Sequence, residues 1–420
     1  MFEKILYLSE KILTLQLNKK GRILVLSNNT TFSTIAYLSI INSNNTCIIL
    51  SEETPIKKIN NIINIYEVNL VLMSSEYANK YVENLRAKVI LYDKFELKEY
   101  KKININDIKI ESNFNSEEDD ALLLFTSGST GSPKGVRLSN KNLTESASAI
   151  VEFLDLSDRD IICKMVPDYH IYGISAINSH LLSGSTIVFS RYGVNLNKVI
   201  DDITKYGCTG FTGIPTLLSL LIEKKNFNKN SLPTMRYLIQ SSGELKIDKQ
   251  KKLVNSFSGC DIFVVYGQTE SCGPITFINL KEEIEKIGSV GRGLKNIKCK
   301  IVNENGDECE CGQIGELVVS GSSIMKGYYT NKESVNVSEL YTGDLAYFDK
   351  DGYIYLTGRK NNIVKISGYR VNLKEIEEEL LKIKSIEDVA VITKEAHIIG
   401  QQIIAYIKSD NNIDEYELQK

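Results

Sequence analysis

Leu122–Leu138 reads LLLFTSGSTGSPKGVRL. An apolar run with the pattern of a buried strand leads into Thr126-Ser127-Gly128-Ser129-Thr130-Gly131-Ser132-Pro133-Lys134-Gly135, and a second apolar run follows. Glycines let a backbone turn tightly and approach a ligand closely. Successive N–H groups and hydroxyls can cradle phosphate oxygens, and Lys134 adds a cation. A flexible Ser/Gly linker has a similar composition, but linkers rarely start from a buried strand and end in a Lys-Gly-Val strand. A P-loop requires lysine directly after glycine and a hydroxyl directly after lysine. Here Pro133 precedes Lys134 and Gly135 follows it, so the hydroxyl that would hold magnesium is missing from that position.

On both sides of this loop, strand and helix patterns alternate. Upstream, Arg22–Ser27, Thr46–Leu50, Asn69–Met73 and Lys88–Tyr92 read as strands, with helices over Thr31–Ile41 and Ile56–Tyr66. Downstream, Ala121–Thr126, Ile161–Val166, Thr186–Phe189, Thr209–Thr212, Tyr237–Gln240 and Asp261–Val265 continue the rhythm. β-α-β order implies an α/β fold of doubly wound, mostly parallel sheets. Past Gly288 the pattern changes to short strands, Lys298–Val302 and Glu316–Val319, around Gly- and Asn-rich turns. This reads as a small β subdomain over about 288–360. Gly358–Asn362 reads as a polar linker, and Asn372–Ile383 as a charged helix followed by strands at Val389–Ile392 and Ile403–Ile407. The expected division is a large domain over 1–360 and a truncated, mobile small α+β domain over 361–420.

A chain of 420 residues exceeds what one core supports. Its net charge of −3 gives no global field favouring nucleic acid or an anionic membrane. No apolar run reaches the ~20 residues of a membrane span, and Met1–Lys20 reads as an amphipathic helix, not a signal peptide. Of the eight cysteines, only Cys309 and Cys311 cluster, without the further ligands a zinc site needs. These features lead to the expectation of a cytoplasmic, reduced protein.

The loop resembles that of the AMP-forming adenylating superfamily, which includes acyl- and aryl-CoA ligases, peptide-synthetase adenylation domains and luciferases. Further segments match in order: Pro167–Gly173 (PDYHIYG), Tyr266–Glu270 (YGQTE), Gly315–Tyr329 (GELVVSGSSIMKGYY), Tyr341–Leu345 (YTGDL) and Gly358–Ile376 (GRKNNIVKISGYRVNLKEI). The resemblance implies ATP and Mg²⁺ as cofactors, with Thr126, Ser127, Gly128, Ser129, Thr130, Gly131 and Lys134 around the phosphates. It implies Tyr266 and Gly267 at adenine, Thr269 on the α-phosphate and Glu270 on Mg²⁺; a magnesium site built from one carboxylate plus substrate phosphates is chemically reasonable. Asp344 is implied at the ribose hydroxyls and Arg359 at ribose or phosphate. Ser242-Gly243-Glu244 more weakly resembles the adenine-contacting segment, and a plain turn is its alternative. The YGQTE segment reads as a turn after the strand Asp261–Val265, the kind of strand end where open α/β sheets bind ligands.

In the family's acyl- and aryl-CoA ligases, the Pro-x-x-His-x-x-Gly histidine lies near the acyl carboxylate, which here implies His170. Amino-acid-activating relatives carry an Asp just after it. Ile171 stands there in this chain, and a buried ammonium without a partner is costly, which disfavours an α-amino acid. Phe211–Leu217 (FTGIPTL) resembles the segment lining the acid pocket, with Phe211 and Gly213 as candidates beside Ile171. The expected substrate is a small-molecule carboxylic acid, aryl or aliphatic. The expected acceptor is coenzyme A or phosphopantetheine, the latter on an acyl carrier protein. His170, Lys134, Glu270 and Arg359 form the expected catalytic set. The sequence departs from the family twice. The hinge position, usually Asp or Lys, is Asn361, and no Gly-Lys segment follows it to supply the family's late catalytic lysine. The expectation is slow adenylation by an incomplete small domain; a nucleotide- or acyl-binding protein without catalysis is the alternative.

Overall fold

The structure is a computed structural model that describes residues 1–15, 21–94, 119–126, 134–190, 195–329, 337–360, 363–366, 369–383, 385–396 and 400–409. Two compact units emerge: Met1–Lys298 with Val319–Leu340, and Cys299–Val318 with Tyr341–Lys420. The contacts therefore divide the chain near residue 298, not at 360. The physical reason is that most of the small β subdomain shares its contacts with the carboxy-terminal segment.

The first unit opens with α1 (Phe2–Thr14), β1 (Arg22–Ser27), α2 (Thr31–Asn42), β2 (Thr46–Ser51), α3 (Ile56–Ile65), β3 (Val68–Met73), α4 (Ser75–Tyr81) and β4 (Lys88–Leu91). Residues 23–26 of β1, Ile-Leu-Val-Leu, are fully buried, as a strand covered on both faces must be. Ile59, Ile62 and Ile63 on α3 pack with Leu24, Leu26 and Val71 in one core cluster. α2 starts at Thr30, whose hydroxyl accepts from the Ser33 amide while the Ser33 hydroxyl accepts from the Thr30 amide, a reciprocal cap. β5 (Asp120–Thr126) and β6 (Lys134–Ser139) complete the sheet with a later strand, in the order β16-β6-β5-β2-β1-β3-β4. β16 is Gly327–Tyr328. β4, β3, β1, β2 and β5 run parallel, and β6 and β16 antiparallel.

A second sheet follows the same logic. Its elements are α5 (Asn140–Leu154), β7 (Ile161–Lys164), α6 (Ile171–Leu182), β8 (Thr186–Phe189), α7 (Leu196–Tyr206), β9 (Gly210–Gly213), α8 (Pro215–Ile222), β10 (Tyr237–Gln240), α9 (Ile247–Ser256), β11 (Asp261–Gln268), β12 (Gly273–Asn279) and β13 (Arg292–Gly293). Strand order is β13-β12-β11-β10-β9-β7-β8, parallel from β8 to β11 and then antiparallel. The doubly wound, mostly parallel architecture expected from the β-α rhythm is present.

The second unit carries most of a four-stranded sheet ordered β14-β15-β17-β18, with β14 at Ile297–Val302, β15 at Gly315–Gly321, β17 at Leu340–Phe348 and β18 at Ile354–Arg359. Two hairpins, β19 (Ile363–Ile366) with β20 (Tyr369–Asn372) and β21 (Asp388–Ala396) with β22 (Gly400–Lys408), flank α10 (Leu373–Leu380). Gly358-Arg359, read from sequence as linker, belongs to β18, where Arg359 pairs with Asp344 across the ladder. No helix among the described residues is long and apolar enough to cross a membrane.

Candidate active site

The phosphate-loop segment enters the structure through its two ends. Thr126 closes β5 and faces Lys134 of β6 directly across the ladder. Of the expected cradle, Ser127, Gly128, Ser129, Thr130 and Gly131 lie outside the described residues. Gly135 has a local reason: a Cβ there would sit 2.8 Å from the Tyr66 ring. Its carbonyl accepts from the Tyr329 amide at 2.7 Å, which docks the end of the GYY segment against the loop's base.

This docking brings together side chains far apart in sequence. The Lys134 ammonium lies 5.3 Å from the centroid of the Tyr328 ring, within cation–π range. The Tyr328 hydroxyl donates to Glu270 Oε1 at 2.8 Å. Burial, reinforced by the Glu270 charge, raises the phenol well above its ordinary value, so it stays a donor at neutral pH. Glu270 is only 8% exposed, and its carbonyl accepts from the Met325 amide at 2.8 Å. The carboxy-terminal ends of β5 and β11, one from each sheet, thus present a lysine and a carboxylate linked through one tyrosine. No role was assigned to Tyr328 from sequence, although it stands inside the matched segment GELVVSGSSIMKGYY.

The YGQTE segment differs from its sequence reading. Tyr266, Gly267 and Gln268 are not a turn; they continue β11 and pair with Thr276, Pro274 and Gly273 of β12, with a register shift after Tyr266. The turn comes later, over Thr269–Ser271. The extension follows from β12, an antiparallel neighbour that periodicity did not reveal. Gly267 is required because a Cβ there would lie 2.0 Å from the Gly273 carbonyl oxygen. Ser242 and Gly243 both have positive φ, and the Gly243 carbonyl accepts from Gln240 Nε2 at 2.6 Å, so this segment is a tight turn after β10. Glu244 beside it is exposed.

In the second unit, Asp344 is 5% exposed and pairs with Arg359 Nε at 2.8 Å. Its backbone amide donates to Thr342 Oγ1, and Glu316 accepts from the Gly343 amide and from Lys360. The YTGDL segment is therefore strand, with Gly343 at φ +74° as its irregular point.

His170 caps the start of α6 and is exposed, with the Tyr169 ring 4.8 Å from its own. The protein wall beside it lowers its basicity below the ordinary imidazole value. The Pro-x-x-His-x-x-Gly spacing has a steric basis. The Pro167 carbonyl accepts from the His170 amide, and a Cβ on Gly173 would lie 2.1 Å from that same carbonyl oxygen. Gly173→Ala is expected to cost about 1–3 kcal/mol, as overpacking does, and to raise the KM for the acid but not for ATP. Urea unfolding and steady-state kinetics measure the two effects; an unchanged acid KM would detach the turn from substrate binding.

Behind this turn, Asp168 is buried. Its carboxylate accepts from the hydroxyls of Ser27 and Ser33, the latter at 2.9 Å. Lys164, fully buried at the end of β7, donates to Asn29 Oδ1 at 2.5 Å. Burial pulls Lys164 down to about 8 against the upward pull of Asp168. The loop bearing His170 is thereby tied to the ends of β1 and the start of α2.

Of the acid-pocket candidates, Ile171 is buried in the first turn of α6. Phe211 is fully buried with its ring edge-on to Phe227 at 5.9 Å, which makes it core. Strand alternation sends its neighbour Thr212 to the opposite face, where Thr212 lines a cavity of about 20 Å³ between α5, α6 and the strands β9 to β11. Gly213 is buried against Leu218, which a Cβ would approach to 2.7 Å.

Comparison with known proteins follows this geometry. A family model described as AMP-binding enzyme matches residues 1–329. The chain is 34% identical over 314 residues to the probable CoA ligase CCL5 of Humulus lupulus, covering 71% of this chain and 56% of that protein. It is 30% identical over 313 residues to the putative acyl-CoA synthetase YngI of Bacillus subtilis, covering 72% and 57%. The chain thus spans little more than half the length of these two relatives. A 2-succinylbenzoate–CoA ligase of Bacillus licheniformis is 29% identical over 379 residues, covering 84% and 77%. Two solved structures share the fold across 99% of this chain and 84% of theirs. One is o-succinylbenzoate CoA synthetase (MenE) of Bacillus subtilis with its acyl-adenylate intermediate, at TM-score 0.85 and 24% identity. The other is ATP-bound MatB of Rhodopseudomonas palustris, at 0.86 and 22%. Fold, ordered motifs and the family match agree, and the chain belongs to the AMP-forming adenylate and acyl-CoA ligase superfamily, close to the acyl- and aryl-CoA ligases.

Proposed function

We propose that this chain activates a carboxylic acid with ATP, forming an acyl-adenylate and releasing pyrophosphate, and then passes the acyl group to the thiol of coenzyme A or of a carrier-protein pantetheine. The observation that carries this reading is the Lys134–Tyr328–Glu270 cluster where strand ends from both sheets meet, the kind of edge where open α/β sheets take ligands. In the first step an acid carboxylate oxygen bonds the α-phosphorus, and the bond from that phosphorus to the pyrophosphate oxygen breaks. Lys134 offsets the charge that builds on the leaving group, a matter of positioning and electrostatics. Glu270 suits a Mg²⁺ site, one carboxylate plus substrate phosphates, and the ion would supply further charge neutralisation there. His170 stands at the head of α6 to meet the acid, and Asp344 with Arg359 offers polar contacts to the nucleotide.

Acid-dependent exchange of labelled pyrophosphate into ATP is the test, run with aryl, short-chain and long-chain acids. Exchange with any of them is the expected result. Silence across the panel, with ATP still bound, would move the weight to a binding protein without catalysis.

A further inference from the structure

We infer that the far end of the acid-binding pocket reads a single uncharged oxygen, a hydroxyl or carbonyl, through the hydroxyls of Ser175 and Thr212. This rests on the acid-binding reading of the His170 turn and deepens it by naming the substrate class. From His170, α6 presents Tyr172, Ser175, Ala176, Ser179 and His180 to one cavity, the i, i+3, i+4, i+7 stripe of a helix face. That row runs about 12 Å along the helix axis, at 1.5 Å per residue. Thr212, Ile239 and Val265 close the cavity from the carboxy-terminal halves of β9, β10 and β11, directly beneath the edge that bears Tyr266.

The polar groups on this wall divide into two kinds. Three are already used. Ser179 Oγ donates to the Ser175 carbonyl at 2.8 Å, Tyr172 reaches the Ile239 carbonyl at 3.5 Å, and the His180 ring bonds both the Ala176 carbonyl and the Tyr237 hydroxyl. Ser175 Oγ and Thr212 Oγ1 are the other kind, buried without a hydrogen-bond partner among the described residues. The two residues are 5% and 1% exposed. Buried hydroxyls are normally satisfied, and two orphans on one small cavity call for an occupant. Gly273 leaves the space open, since a Cβ there would lie 2.5 Å from Ser175 Oγ.

Size and charge define the occupant. The cavity of about 20 Å³ holds one water-sized group, for which roughly 10–15 Å³ suffices. Hydroxyls both donate and accept, so a hydroxyl or a carbonyl oxygen meets them equally. No charged partner lines the cavity: burial holds His180 down to about 4, so its ring is neutral. A terminal carboxylate or ammonium would stay uncompensated there. The rest of the wall is Ile150, Phe153, Ala176, Ile239, Val265 and Pro274, which suits a carbon skeleton.

The test uses acids matched in shape: 4-hydroxyphenylacetate with 4-methylphenylacetate, and 6-hydroxyhexanoate with heptanoate. Each pair is measured by pyrophosphate exchange and, independently, by calorimetric binding in the presence of AMP. Wild-type protein is compared with Ser175→Ala, Thr212→Val and the double variant, all checked for unchanged thermal midpoint. The hydroxylated member of at least one pair should be preferred by about tenfold or more, since a missing partner leaves both hydroxyls unpaired. The double variant should bring that preference close to unity. Equal use of both members of every pair, or a preference that survives in the double variant, would overturn the inference and leave a structural water in the cavity. A binding preference with silent exchange would keep the inference and sink the adenylation reading. Failure of every acid to bind would sink both.

Discussion

Glu270→Gln is expected to lower acid-dependent pyrophosphate exchange by about 10²–10³-fold, the usual effect of losing one preorganised electrostatic group. The substitution is nearly isosteric, and the glutamine oxygen can still accept from Tyr328, whose hydroxyl lies 2.8 Å away. What disappears is the charge, and with it the carboxylate a magnesium ion would prefer. Raising the magnesium concentration should recover part of the lost rate. Tyr328→Phe provides the contrast: it keeps the charge and removes the bond that orients it, for a loss nearer tenfold, about the value of one hydrogen bond to a charged group. Exchange rates measured over a magnesium series separate the two. A Glu270→Gln protein as fast as wild type would remove the carboxylate from the reaction.

Asp168→Ala should destabilise the protein by about 3–5 kcal/mol at neutral pH, the cost of leaving a buried charge without its counterpart. The charge is that of Lys164, fully buried and held at about 8. Its ordinary value is 10.5, so the folded state binds the proton less readily than the unfolded chain. Lys164 therefore burdens the native state fully below pH 8, and stability rises as pH climbs from 8 toward 10.5. Removing Asp168 takes away the group that pulls the lysine upward, so its value falls further and the burden at neutral pH grows. The electrostatic part of the deficit should shrink as pH rises to about 8, leaving only the bonds from Ser27 and Ser33. Lys164→Met/Asp168→Leu, which removes both charges, should fall well short of the single variant's loss. Urea unfolding at pH 7 and pH 9 reads both effects. A deficit independent of pH would show that the lysine charge plays no part.

The sheets were legible because buried parallel strands announce themselves as short aliphatic runs such as RILVLS and TCIILS, bounded by helix patterns. The strands that escaped are short or irregular. β16 has two residues, and β12 starts at a glycine with φ +113°. Missing β12 is what turned Tyr266–Gln268 into an apparent turn: a glycine after a strand reads as an ending until its partner strand is known. The candidate site was legible one residue at a time, not as a constellation. Lys134 and Glu270 stand out as charged residues in recognisable settings. Tyr328 does not, because its meaning comes from a ladder pair with Val136. Phe211 drew attention as an aromatic beside a glycine, yet strand alternation turns it inward and gives the cavity to Thr212. Ser175 carries no local signal at all, since a serine within a helix is marked only by what its hydroxyl fails to meet.

The Thr126–Lys134 ladder pair also fixes when entropy is lost. A lysine on a free loop would surrender about 1–2 kcal/mol of backbone freedom per ordered residue on capturing an anion. The Lys134 backbone gave up that freedom when β5 and β6 closed, so an arriving phosphate has only a side chain left to quiet. Anion affinity at this position is thus partly settled during folding. Substitutions that loosen the β5–β6 register should weaken capture with every charge still in place, and the loss should grow with temperature.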